Sequence, residues 1–154
     1  MSQNILHAIF HFQHKLPTAY NVGFFLLRFF VGLALCTIFE KLFPRDGIWG
    51  PQAWFVQDVA NMGFPLPVFV AWLVVLTEFI GGILMMIGLL TRLAALMNVG
   101  VTAVAAFIYH RGDISSAGLT SFIFMIMCIS IVLFGAGKFS LDFFIYKKIR
   151  NNYE

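Results

Sequence analysis

The sequence predicts an all-α protein: a polytopic membrane four-helix bundle with interfacial N-terminal, loop and C-terminal helices. Of its 154 residues 60% are hydrophobic and only 11% charged, whereas soluble domains carry about 25% charged residues. Four apolar runs, at 20–43, 65–90, 93–109 and 117–134, each approach the roughly 20 residues that cross a bilayer as helix. Within the second run, Thr77 to Arg92, stands a carboxylate, Glu78, and an ionised carboxylate at bilayer depth costs at least about 2.5 kcal/mol. A partner or ligand must face it. Residues 1–154 form a single membrane domain on this reading.

Residues 1–19 predict an interfacial amphipathic helix, with Ile5, Leu6, Ile9 and Phe10 set among His7, His11, His14 and Lys15. The three histidines share one helical face and would be the ligands of a metal or haem site. No acidic or cysteine ligand lies beside them, so headgroup contact is the expectation and no metal is. The segment lacks the basic start and small-residue cleavage site of a signal peptide, which predicts that the first span is retained.

The first span carries Arg28, Gly32, Cys36 and Glu40 at intervals of four. Such a ridge lets a neighbour approach at its small residues and must be met at its charged ones. Pro44 closes it. The loop that follows holds Pro51 to Ala60, which reads as a short aromatic-faced helix capping the outer mouth of the bundle.

The second span begins after Pro65 and Pro67 and places Glu78, Gly82 and Met85 on one face, with Gly81 and Gly88 beside it. This narrow polar face predicts a central position. Counted along the two helices at about 1.5 Å per residue, Arg28 and Glu78 lie within a side chain's reach, and they are the expected ion pair. Only Thr91-Arg92 separates the second span from the third, which predicts an antiparallel hairpin.

The third span shows a small and polar seam, Ala95, Asn98, Thr102 and Ala106, ending near His110. His110, Glu40, Lys41 and Arg111 are expected at the outer mouth. The fourth span has no charge. After Gly135-Ala-Gly137, residues 138–154 predict an interfacial tail in which Ser140 caps a short helix and Asp142 sits in its first turn.

Lys15, Arg92, Lys138, Lys147, Lys148 and Arg150 would share one side, which predicts both termini in the cytoplasm. The basic Lys147 to Arg150 cluster suits anionic lipid and gives no sign of nucleic-acid binding. Cys36 and Cys128 are the two cysteines. Both fall in apolar spans outside any Cys-x-x-Cys pattern, which predicts core packing.

These pieces in order resemble the DoxX-like family of small four-helix membrane proteins. They are Leu27-Arg-Phe-Phe-Val-Gly32, Glu40-Lys-Leu-Phe43, Phe64-Pro65, Glu78-Phe-Ile-Gly-Gly82, Gly88-Leu-Leu-Thr-Arg92, His110 and Gly135-Ala-Gly-Lys-Phe-Ser-Leu-Asp142. The bulky, acidic Phe39-Glu40, where the family commonly has a small residue, and the short loop after His110 depart from its pattern. The resemblance implies a subunit of a respiratory or other membrane-bound oxidoreductase complex, in the bacterial inner membrane, with no autonomous activity and no covalently bound cofactor. A quinone would then contact Arg28, Glu78, Asn98, Tyr109 or His110, and its redox partner would be a larger membrane complex. The alternative is a non-catalytic assembly, chaperone or stabilising subunit. A transporter is disfavoured, because neither a broken span nor an inverted repeat is visible.

Overall fold

A computed structural model describes residues 18–37 and 50–151, with side chains through Ile149. The expected N-terminal helix with His7, His11 and His14, the end of the first span with Glu40 and Lys41, and Pro44 lie outside the described residues. Within them the chain is all helix. The order is α1 (Thr18–Cys36), α2 (Ala53–Asn61), α3 (Pro67–Ile87), α4 (Thr91–Val104, continued by a π-helical turn Ala105–Tyr109), α5 (Leu119–Phe134) and α6 (Leu141–Asn151). Three of these, α1, α3 and α4 with its π turn, are long and apolar enough to cross a membrane. The apolar α5 has 16 residues.

Central α3 packs against α1, α2 and α4, and α5 closes the bundle against α4 and α1. The core they share contains Val31, Leu35, Met85, Ala94, Ala95, Cys128 and Ile131. Both cysteines are free thiols; Cys128 is in this core, and half-buried Cys36 donates to the Phe79 carbonyl at 3.6 Å. The predicted seam residues Ala95, Asn98, Thr102 and Ala106 are all buried.

Two backbones approach closely at the α1–α3 crossing. A Cβ on Gly32 would lie 2.4 Å from the Gly82 carbonyl oxygen, and one on Gly82 would lie 2.7 Å from that of Gly32. Lipid offers no hydrophobic drive for joining two apolar helices, so close packing of this kind is what joins them. The crossing also sets the register. Moving toward the N-terminus of α1 from Gly32 moves toward the C-terminus of α3, until Arg28 stands against Gly88.

The α3–α4 connection differs from expectation. It is the turn Gly88-Leu89-Leu90, and Thr91-Arg92 already belongs to α4. Gly88 takes a left-handed conformation (φ 73°) and closes α3 with bonds from Gly88 N and Leu89 N to the Leu84 carbonyl. Leu90 is also left-handed (φ 47°).

The tail is built as the sequence implies and does one thing more. Ser140 Oγ accepts from Phe143 N at 3.2 Å, capping α6. The Asp142 carboxylate also crosses to the α3–α4 turn, accepting from Leu90 N at 2.9 Å and Thr91 N at 3.1 Å. It thus caps the N-terminus of α4 in trans, where negative charge is favoured.

Candidate functional site

Two polar regions lie at opposite ends of α3. At the turn end, Arg28 is almost wholly buried, at 1% exposure. Its Nη2 donates to the Phe139 carbonyl, its guanidinium lies 5.6 Å from the Phe25 ring, and the Asp142 carboxylate is its electrostatic neighbour. Gly88 makes the room, since a Cβ there would fall 1.5 Å from Arg28 Nη1. The C-terminal carbonyl end of α3 suits a cation. Asn21 adds a tie to the same segment, its Oδ1 accepting from Lys138 N at 3.2 Å. Arg28 therefore ties α1 to the Gly135–Asp142 segment and packs beside Gly88, while Asp142 ties that segment to the α3–α4 turn.

This arrangement corrects the expected Arg28–Glu78 pair. Glu78 precedes Gly88 by ten residues, about 15 Å along a helix, and the guanidinium is held at Gly88. Counting along the chain sets the start of the first span level with the end of the second. The glycine crossing sets a different offset.

The other region is a cavity of about 510 Å³ between α2, α3, α4 and the His110 turn. Its wall is chiefly apolar, with Phe55, Val59, Val74 and Val104 among its residues, and its polar members include Thr77, Glu78, Asp58, Tyr109, His110 and Ser121. Glu78 is buried at 6% exposure. The short helix α2 covers this end as expected, anchored by buried Val59. It is tied to α4 by the Tyr109 hydroxyl, which donates to Asp58 Oδ2 at 3.1 Å.

The π turn serves this contact. His110 N bonds to the carbonyl of Ala105, five residues back, so an extra residue enters the turn that aims Tyr109 and His110. Their rings meet edge to face with centroids 4.7 Å apart. Beyond them Arg111 is exposed and left-handed (φ 52°). Asp113 then organises the loop, accepting from both hydroxyls of Ser115 and Ser116 and from Ser116 N. Those bonds, Ser116 first, hold its carboxyl below the usual range.

Of the residues expected at a ligand, Glu78, Tyr109 and His110 share the cavity wall. Arg28 does not, and neither does Asn98. The latter is an interhelical strut: Nδ2 donates to the Thr77 carbonyl at 3.3 Å and the Ala94 carbonyl at 2.9 Å. Gly81 admits it, since a Cβ there would sit 2.3 Å from Nδ2. The Asp58–Tyr109 bond joins residues 51 apart in the chain, and no spacing rule reveals it. Asp142 looked like a local helix-start residue and carries a long-range one as well. Among the described residues no three His, Cys, Asp or Glu side chains gather as metal ligands.

An all-helical bundle with three helices long and apolar enough to cross a membrane, a buried arginine and a largely apolar cavity defines a small polytopic membrane protein. The chain belongs to the DoxX family, whose model matches residues 23–111, from α1 through the His110 turn. It is 36% identical over 127 residues to the inner membrane protein YqjF of Escherichia coli (strain K12), covering 77% of this chain and 95% of that protein. No solved structure matches it. The matched stretch contains Arg28, Glu78, Asn98, Tyr109 and His110, and ends before Ser140 and Asp142.

Proposed function

We propose that this chain is the membrane subunit of an inner-membrane oxidoreductase complex and that its cavity takes the head of a quinone. The observation that carries the reading is the buried Glu78 carboxylate on the wall of a largely apolar cavity of about 510 Å³. Small-molecule sites span about 300–1,000 Å³ and combine an apolar lining with a few placed polar groups. His110 would donate to an oxygen of the head, and Glu78 would give or take a proton at its carboxylate. Bound there, a quinone would supply two-electron redox chemistry. The two cysteines stand as unpaired thiols on α1 and α5, so electrons would arrive through a partner subunit.

The basic residues Arg92, Lys138, Lys147 and Lys148 favour the turn end as cytoplasmic. The α5 helix, about 24 Å long by its 16 residues, would make a fourth crossing.

The reading is tested by isolating the protein in native lipid and identifying co-purified quinone and proteins, for the wild type and Glu78→Gln. Retained quinone and a redox partner, with quinone diminished in the variant at unchanged assembly, are expected. Recovery without either would overturn it. A non-catalytic stabilising subunit is the second reading, favoured by the outward-facing rings of Phe69 and Phe144, 64% and 65% exposed. It predicts partner proteins whose recovery and activity are indifferent to Glu78→Gln.

A further inference from the structure

We propose that the cavity is entered sideways from the bilayer, between α3 and α4, and that the apolar groove along this seam holds the tail of a long-tailed amphiphile. The inference rests on the quinone reading for the head and adds the path and the tail site. A second concavity of about 280 Å³ runs along the seam, lined by Leu76, Ile80, Leu84, Leu90 and Leu93. It shares Leu73, Thr77 and Met97 with the cavity wall, so the two adjoin at these residues. Among its described lining residues Thr77 is the sole hydroxyl and none is charged. Leu73 and Met97 face outward, 53% and 50% exposed, while Glu78 behind them is buried.

Gly100 marks the opening. It lines the cavity and is exposed, and a Cβ added there would meet nothing within 4 Å. A side chain is missing from the wall at the point where cavity and lipid meet. The occupant's shape follows from the groove. From Leu73 to Leu84 the seam is roughly 16 Å long. The groove's 280 Å³ spread over that length is narrow and elongated, the shape of a single hydrocarbon chain.

The test uses the full chain in lipid nanodiscs, with binding followed by quenching of tryptophan emission, since Trp54 lines the cavity. The probes are a quinone with a long isoprenoid tail and the same head without a tail. The expected result is at least tenfold tighter binding of the tailed form. Ile80→Trp, which fills the groove from its lipid face, should remove that advantage and leave the tail-less head unaffected. Gly100→Phe should slow association of the tailed form at least fivefold, with the thermal unfolding midpoint showing that the fold persists. Equal affinity for both probes, with Ile80→Trp inert, overturns the tail groove and leaves the cavity reading standing. Binding of neither probe overturns both. Cross-linking of Ile80→Cys to another polypeptide in native membranes also overturns the tail assignment.

Discussion

Replacing Gly32 by alanine tests the contact that sets the whole bundle's register. The new Cβ would lie 2.4 Å from the Gly82 carbonyl oxygen, 2.8 Å from Met86 Cγ and 3.0 Å from Met86 N. Two of those three atoms are backbone, so no rotamer change relieves them. Restoring ordinary contact requires α1 and α3 to part by about 1 Å, and overpacking of this kind costs about 1–3 kcal/mol. Alanine's better helix propensity offsets about 0.5–1 kcal/mol of that, which leaves a net loss of about 0–2.5 kcal/mol. At about 1.4 kcal/mol per tenfold change, the upper end exceeds a tenfold shift toward the unfolded form. Gly23→Ala is the control, because a Cβ there meets nothing within 4 Å; it should be neutral or slightly stabilising. Unfolding of each variant by denaturing detergent, followed by tryptophan emission, ranks them. Met86→Ala should rescue Gly32→Ala only in part, since the carbonyl clash remains. A Gly32→Ala protein as stable as Gly23→Ala would refute the crossing.

Two further predictions concern the two ends of α3. In a double-mutant cycle, Arg28→Gln and Glu78→Gln should be additive to within about 0.3–0.5 kcal/mol, as separated sites are. Arg28→Gln and Asp142→Ala should instead couple by about 0.5–3 kcal/mol; coupling of Arg28 to Glu78 with none to Asp142 would reverse the assignment of Arg28. At the other end, Tyr109→Phe removes one hydrogen bond, worth about 0.5–1.5 kcal/mol. Amide hydrogen exchange across Ala53–Asn61 should then quicken about fivefold at the centre of that range, and unchanged exchange would show that the Asp58 bond does not hold α2 down.

The buried faces were legible because each depends on periodicity alone. Arg28, Gly32, Glu78, Gly81, Gly82, Asn98 and Thr102 are buried, as their spacing on the spans implied. Ser140 could be recognised as a cap because it lies next to the helix it caps. Asp142 carries the opposite lesson. Its local role in α6 is visible in the sequence, whereas its bonds to Leu90 and Thr91 cross 52 and 51 residues. Of the cavity, Glu78, Tyr109 and His110 were legible. Its other polar groups depend on how α2 lies across the bundle and on the π turn, and neither follows from hydropathy.

The sequence alone determined the membrane class, the apolar spans, the helix faces and the DoxX resemblance, because burial in lipid imposes length and composition on each span independently. The tertiary structure decided the partners. Helical periodicity says which face a residue occupies and nothing about the axial offset between two antiparallel helices. That offset is set where the two backbones approach closely, at Gly32 and Gly82, and it carries Arg28 to Gly88 and leaves Glu78 at the cavity.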